Sequence, residues 1–160
     1  MVVVERLRAD HAPALEAFER ENRAYFARSI PDRGDAYFAE FAERHRSLLE
    51  EQGAGLRHFH VVLDEAGELV GRVNLVCVAE GASELGYRVA ERAAGRGVAT
   101  AAVAEVCRLA SEAYGLSELR AVTTVDNLAS RAVLERNGFA HVGELTLTGR
   151  PGLRYRRVLG

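Results

Sequence analysis

The spacing of apolar residues changes period several times along this chain, and each change marks an element. Residues 2–8, VVVERLR, read as a strand, and Pro13 sits where a helix starts, because its missing N–H costs nothing in a first turn. Leu15, Phe18, Asn22, Tyr25 and Phe26 keep helical spacing, which predicts one helix over 13–26. SIPDRGD at 29–35 is a turn, and Phe38, Phe41, His45, Leu48 and Leu49 place a second amphipathic helix over 36–51, ended by Gly53 and Gly55. Alternation then predicts strands at 58–63 and 68–78, joined by DEAG with its hairpin chemistry, and another at 83–89 after Glu80 and Gly81. Helical spacing returns over 98–114, stopped by Gly115, and again over 128–137. Residues 119–125 between them are a strand, and 139–147 with 153–159 form a last hairpin around TGRPG.

This order predicts an α/β or α+β fold with four helices and a mostly antiparallel sheet of about seven strands broken by crossover helices. A length of 160 residues suits one core, so a single domain over 1–160 is expected. No apolar run approaches the roughly 20 residues of a membrane span. The start, MVVVERLRAD, has neither a basic leader nor a small-residue cleavage site, and a cytoplasmic location without membrane attachment is expected.

Composition removes several classes of chemistry. A net charge of −2 gives no electrostatic footprint for nucleic acid, so no nucleic-acid partner is expected. All 21 basic residues are arginine, which rules out acetylation of the chain's own lysines. The five histidines show no zinc spacing, and no metal is expected. Cys77 and Cys107 fall in apolar surroundings inside a predicted strand and a predicted helix, where a buried, unreactive thiol is expected.

Two segments carry chemistry. AERAAGRGVAT at 90–100 packs Gly95 and Gly97 where a strand hands over to a helix; glycine admits positive φ, and the first N–H groups of a helix have no internal partner. With the helix macrodipole behind them, such amides bind phosphate. About thirty residues on, VDNLASRAVLERNGF places Asn127 and Ser130 one turn apart at a helix start, on one face, where both reach one ligand or simply cap the helix.

Together these segments resemble the GNAT acetyltransferases, whose pyrophosphate loop matches Gly95, Arg96, Gly97, Val98, Ala99 and Thr100 and whose next helix matches Asn127, Ser130, Asn137, Gly138 and Phe139. The likeness runs from Glu5 to Leu159 and is strongest to the Rim-type branch, which acetylates N-terminal amines of ribosomal proteins. It implies a GNAT fold in which the strands at 83–89 and 119–125 splay apart to admit the pantetheine arm of acetyl-CoA. Tyr87, Arg88 and Val89 would offer it main-chain partners, with Asn127 adding a bond and the Val89 N–H clamping the thioester oxygen. Ser130 would protonate the leaving sulfur, where many relatives use tyrosine. The chain departs from the family's usual Gln or Arg three residues before the central glycine by having Ala94, with Arg92 and Arg96 as nearby substitutes.

Glu84, at the start of the strand leading into the loop, is the expected general base, with His60 as an alternative. The segment 25–35 and the last hairpin loop, 148–153, would set the acceptor. Tyr25, Phe26, Arg28, Asp32 and Arg33 would line a slot for a cationic peptide N-terminus or amine, although an ordinary polar turn explains them equally. The expected activity is acetyl-CoA-dependent N-acetyl transfer, direct from donor to amine, probed against small-molecule amine acceptors, a non-catalytic CoA-binding module and a nucleotide-binding domain as rivals. The exposed last hairpin makes a homodimer plausible.

Overall fold

The computed structural model describes residues 2–160. Seven strands form one sheet in the order β1-β2-β3-β4-β5-β7-β6. They are β1 Val3–Arg6, β2 His58–Leu63, β3 Leu69–Ala79, β4 Ala82–Val89, β5 Glu118–Thr124, β6 Ala140–Leu147 and β7 Arg150–Val158. Every neighbouring pair is antiparallel except β4 and β5. That mixed, mostly antiparallel sheet is the expected one.

Among the described residues the α-helices number six rather than four, because both predicted N-terminal helices are interrupted. Helix α1 Ala12–Glu21 and helix α2 Arg23–Ala27 meet at Asn22, whose backbone leaves helical values at ψ 8°. The Asn22 side chain explains the break: Nδ2 donates to the Phe18 carbonyl, in competition with the helix ladder, while Oδ1 accepts the Glu91 N–H at 3.0 Å. Helix α3 Asp35–Ala39 and helix α4 Phe41–Gly53 meet at Glu40 in a kink, since the Glu40 N–H still reaches Ala36 O and the Arg44 N–H still reaches Glu40 O. Helix α5 Val98–Glu112 and helix α6 Leu128–Arg136 lie close to the predicted bounds.

Two apolar layers hold the sheet. On one face Val62, Val73, Leu75, Leu85, Leu119 and Tyr155 pack with Val103, Val106 and Cys107 of α5 and Leu134 of α6. On the other, Phe59 and Val61 pack with Leu15 and Phe18 of α1, Phe26 of α2 and Phe41 of α4. Burial of side chains this size is worth about 1.5–3 kcal/mol each and fixes which strand residues face which helices.

Two further expectations are corrected. Cys77 is exposed, unlike the buried Cys107, because β3 bulges between Val76 and Ala79 and puts Cys77 at φ +53°, out of the alternation. The last hairpin turns on Thr148 and Gly149 alone, at φ +48° and +77°, and β7 already starts at Arg150. That is the two-residue hairpin turn with positive φ at both positions. Residues 150–153 are therefore strand, and the predicted specificity loop there is a tight turn.

Candidate active site between the splayed strands

Strands β4 and β5 pair at Ala82–Glu118, Ser83–Leu119 and Glu84–Arg120, and among the described residues at no later position. Their far halves are held apart by different partners, β4 by β3 as far as Val89 and β5 by β7 as far as Thr124. The result is a wedge with free main chain on both walls. Because the Ala90 N–H bonds Val70 O at 2.8 Å, alternation along the antiparallel ladder turns Arg88 and Gly86 toward β3 and leaves Leu85, Tyr87 and Val89 facing the wedge. Tyr87 and Val89 thus turn their amides and carbonyls toward the wedge. Arg88 does not: its main chain is spent on β3, and it acts through its side chain.

At the mouth of the wedge lies the glycine loop. Gly95 and Gly97 stand at φ +73° and +77°, left-handed conformations that cost an L-residue strain, and nothing lies within 4 Å of where a Cβ would be. Ala101 is the first residue of α5 whose N–H has a backbone partner, Gly97 O, and among the described residues the amides of 95–100 bond no protein acceptor. Six consecutive donors at a helix N-terminus are what a diphosphate needs. Among the described residues Arg96 makes no ion pair, whereas Arg92 is tied to Glu68 at 3.1 Å. A hollow of about 470 Å³ flanks the loop between Arg92, Arg96, Val98 and the β2–β3 turn.

The α6 N-terminus closes the wedge from the α5 side. Asn127 Oδ1 accepts the Ser130 N–H at 3.1 Å, so this side chain caps the helix and leaves only its Nδ2 for a ligand. Ser130 Oγ lies 3.0 Å from the Tyr87 hydroxyl, across the wedge. The Tyr87 phenol is pushed up from its ordinary pKa by burial, which outweighs the opposing hydrogen bond to Ser130, so the pair keeps its protons at neutral pH. Sequence reasoning placed Ser130 here and missed the Tyr87 side chain, assigned only as backbone.

The opposite face of β3 and β4 is built differently. Glu84, Gly86 and Arg88 alternate toward α1 and α2, beside Val76, Asn74 and Arg72 on β3. Glu84 is therefore at the closed end of the wedge, next to Arg120 across the parallel pair. At the other end Glu19 of α1, its side chain 1 % exposed, receives three arginines: Arg72 at 2.9 Å, Arg88 at 3.1 Å and Arg33 at 3.1 Å. Burial drives the Glu19 carboxyl upward, yet the three guanidinium groups overcome it and hold the pKa below the usual range. Burial first, then Arg33, brings Arg88 down to about 10. In the sequence Arg33 and Arg88 are singled out separately, but not Glu19, Arg72 or the convergence of the three arginines.

The residues of the predicted acceptor slot are divided among separate contacts. Phe26 is buried in the core beneath the Arg88 guanidinium, Asp32 is bound by Arg23 at 2.8 Å, and Arg33 is on Glu19. Arg28 pairs with Glu91 at 3.5 Å and lies over the Tyr25 ring. The alternative base His60 is also misplaced, being buried on the α5 side. Its Nδ1–H donates to Val73 O at 3.0 Å and its Nε2 accepts the Tyr114 hydroxyl at 2.6 Å, and burial lowers its pKa to about 4. No group of metal-ligating side chains gathers among the described residues, and none of their helices is long and apolar enough to cross a membrane.

Comparison with known proteins agrees with this geometry. Residues 2–140 match the family described as acetyltransferase (GNAT) domain. No curated protein matches by sequence. Among solved structures, the ribosomal-protein-S5-alanine acetyltransferase from Vibrio fischeri superposes with a TM-score of 0.93 at 21% identity, over 99% of this chain and 93% of that one. RimJ of Mycobacterium smegmatis, in complex with CoA-disulfide, gives 0.88 at 24% identity, over 98% and 81%. Spermidine N-acetyltransferase from Vibrio cholerae, with CoA and spermine, gives 0.80 at 18% identity, over 99% and 95%. At such identities these likenesses establish the fold.

Proposed function

The chain belongs to the GNAT acetyltransferase domain family, and from that premise we propose that it moves the acetyl group of acetyl-CoA directly onto a primary amine, in the first instance a protein N-terminus. The observation that carries this reading is the wedge itself: unspent amides at 95–100 beside the unspent main chain of Tyr87 and Val89. A diphosphate followed by an extended amide-bearing arm fits that run of donors and acceptors. Most of the grip is backbone, so Ala94 in place of a longer polar residue costs little. The Rim-type neighbours support the protein N-terminus, and the spermidine enzyme keeps small amines as the second reading.

Acetyl-CoA supplies the activated acyl group as a thioester. Against it the Val89 N–H, aimed into the wedge, is placed to hold the carbonyl oxygen as charge develops there. Ser130 Oγ holds a proton for the departing sulfur and is resupplied by the Tyr87 hydroxyl 3.0 Å away. Glu84, on the other face of β4, takes the proton of the incoming amine, directly or through water. Cys107 is buried within α5 and Cys77 is at the β3 bulge, so neither thiol serves as an acyl carrier.

Thiol release from acetyl-CoA, followed against N-terminal peptides, polyamines and aminoglycosides, tests the reading. Release with one acceptor class is expected. In Ser130→Ala, turnover should fall by roughly tenfold or more while CoA affinity holds. A wild-type protein that binds CoA and stays silent with every acceptor would point to a CoA-binding module instead.

A further inference from the structure

The arginine cluster on the α1 face of the wedge carries a charge imbalance. Arg33, Arg72 and Arg88 share the single carboxylate of Glu19, three positive charges against one negative, and their side chains are 26%, 5% and 17% exposed. The acids that flank Arg33 and Glu19 in the sequence are already engaged: Asp32 and Asp35 bind Arg23, and Glu16 binds Arg20. Arg72 Nε is buried with no acceptor, and its Nη1 has beyond Glu19 only the Tyr37 hydroxyl at 3.4 Å. Buried excess charge is costly unless a counter-charge completes it.

Beside the cluster there is room and a second unfilled bond. Gly86 follows the cluster on the same face of β4, and nothing lies within 4 Å of where its Cβ would be. Its register partner Asn74 holds a buried Oδ1 with no donor, and Glu84 comes next along the strand. Guanidinium groups that outnumber their one acid, an open floor, an amide oxygen without an N–H donor, and a carboxylate thus succeed one another along β4.

We infer that this row is the acceptor subsite, and that the acceptor is an amine carrying a carboxylate close by, seated on Arg88 and Arg33 with its amine over Gly86. This rests on the acetyltransferase reading and narrows it. Asn74 Oδ1 accepts an N–H of the amine, Glu84 lies beyond it to receive the proton, and the guanidinium fork favours a planar carboxylate over a neutral amide. A polycation such as a polyamine meets like charge there. Two sources share this chemistry: a free α-amino acid, or a polypeptide with an acidic residue at its N-terminus.

The test uses matched acceptors in the acetyl-transfer assay: a free amino acid against its α-amide, a peptide beginning with Glu against the same peptide beginning with Gln, and spermidine. At least one acidic member should exceed its neutral partner about tenfold or more in kcat/KM, chiefly through KM. The pair that responds identifies the source. Arg88→Gln and Arg33→Gln should each shrink that preference, with CoA affinity and far-ultraviolet dichroism reporting that the fold survives. Equal use of both members in both pairs, or a preference for spermidine, overturns the inference and leaves the acetyltransferase standing. Calorimetry on the CoA-loaded protein with the N-acetylated acid and its amide reads the subsite without turnover. Tighter binding of the acid with no transfer to any acceptor would sink the reaction and keep the subsite, and equal binding would sink the subsite.

Discussion

The two faces of the wedge handle charge in opposite ways. On the α5 side, the unpartnered donors are main-chain amides of one contiguous loop, the hydroxyls of Tyr87 and Ser130 stay neutral, and His60 is buried as the uncharged imidazole. On the α1 side, charge is carried by side chains drawn from distant parts of the chain and concentrated around one buried carboxylate. A backbone site is indifferent to most side-chain changes and sensitive to backbone conformation; a side-chain cluster is the reverse.

The sharpest way to break this contrast is Glu19→Ala. Removing the shared carboxylate leaves Arg72 and Arg88 buried and uncompensated, and stability should fall by about 3–5 kcal/mol, read from urea unfolding. An effect below about 1 kcal/mol would mean that solvent already relieves the cluster.

Acid probes the other face. The folded pKa of His60, about 4, lies below the unfolded value near 6.5, so between those pH values the unfolded chain binds the extra proton. The stabilisation is present above about pH 6.5 and is lost as pH falls toward 4, roughly 3 kcal/mol in all. In His60→Gln this slope should be absent. Glu19, whose pKa is lowered, gives up its contribution only at lower pH still.

Gly97→Ala tests the backbone grip. Forcing a Cβ into φ +77° costs about 1 kcal/mol or turns the amide away, and CoA binding should weaken by about tenfold in a titration. Arg96→Ala should change CoA affinity least, by less than about 0.5 kcal/mol, because backbone amides do the holding. A larger loss would return that role to the side chain.

The same difference decides what could be read in advance. The glycine loop and the α6 start are each a few consecutive residues, and local sequence displays such a site whole. The positive-φ Gly95 and Gly97 and the start of α6 at Asn127 and Ser130 are local features of this kind, and the seven strands are legible from alternation. Glu19 meets Arg33, Arg72 and Arg88 across 14, 53 and 69 residues, so their convergence on one carboxylate shows only once the sheet brings them together. The helix break at Asn22 escaped for the same reason: its cause is the Glu91 N–H, 69 residues away. Cys77 was misjudged through a bulge, which shifts alternation by one residue with no signal in the apolar pattern.

An open β-ladder is normally a feature of a sheet's rim, where it invites another chain to add itself and start aggregation. Here one lies in the interior, between β4 and β5, flanked by β3 and β7 and beside the Tyr87–Ser130 contact. The protein therefore keeps its open backbone away from the rim of the sheet, inside the strand order and not at either end of it.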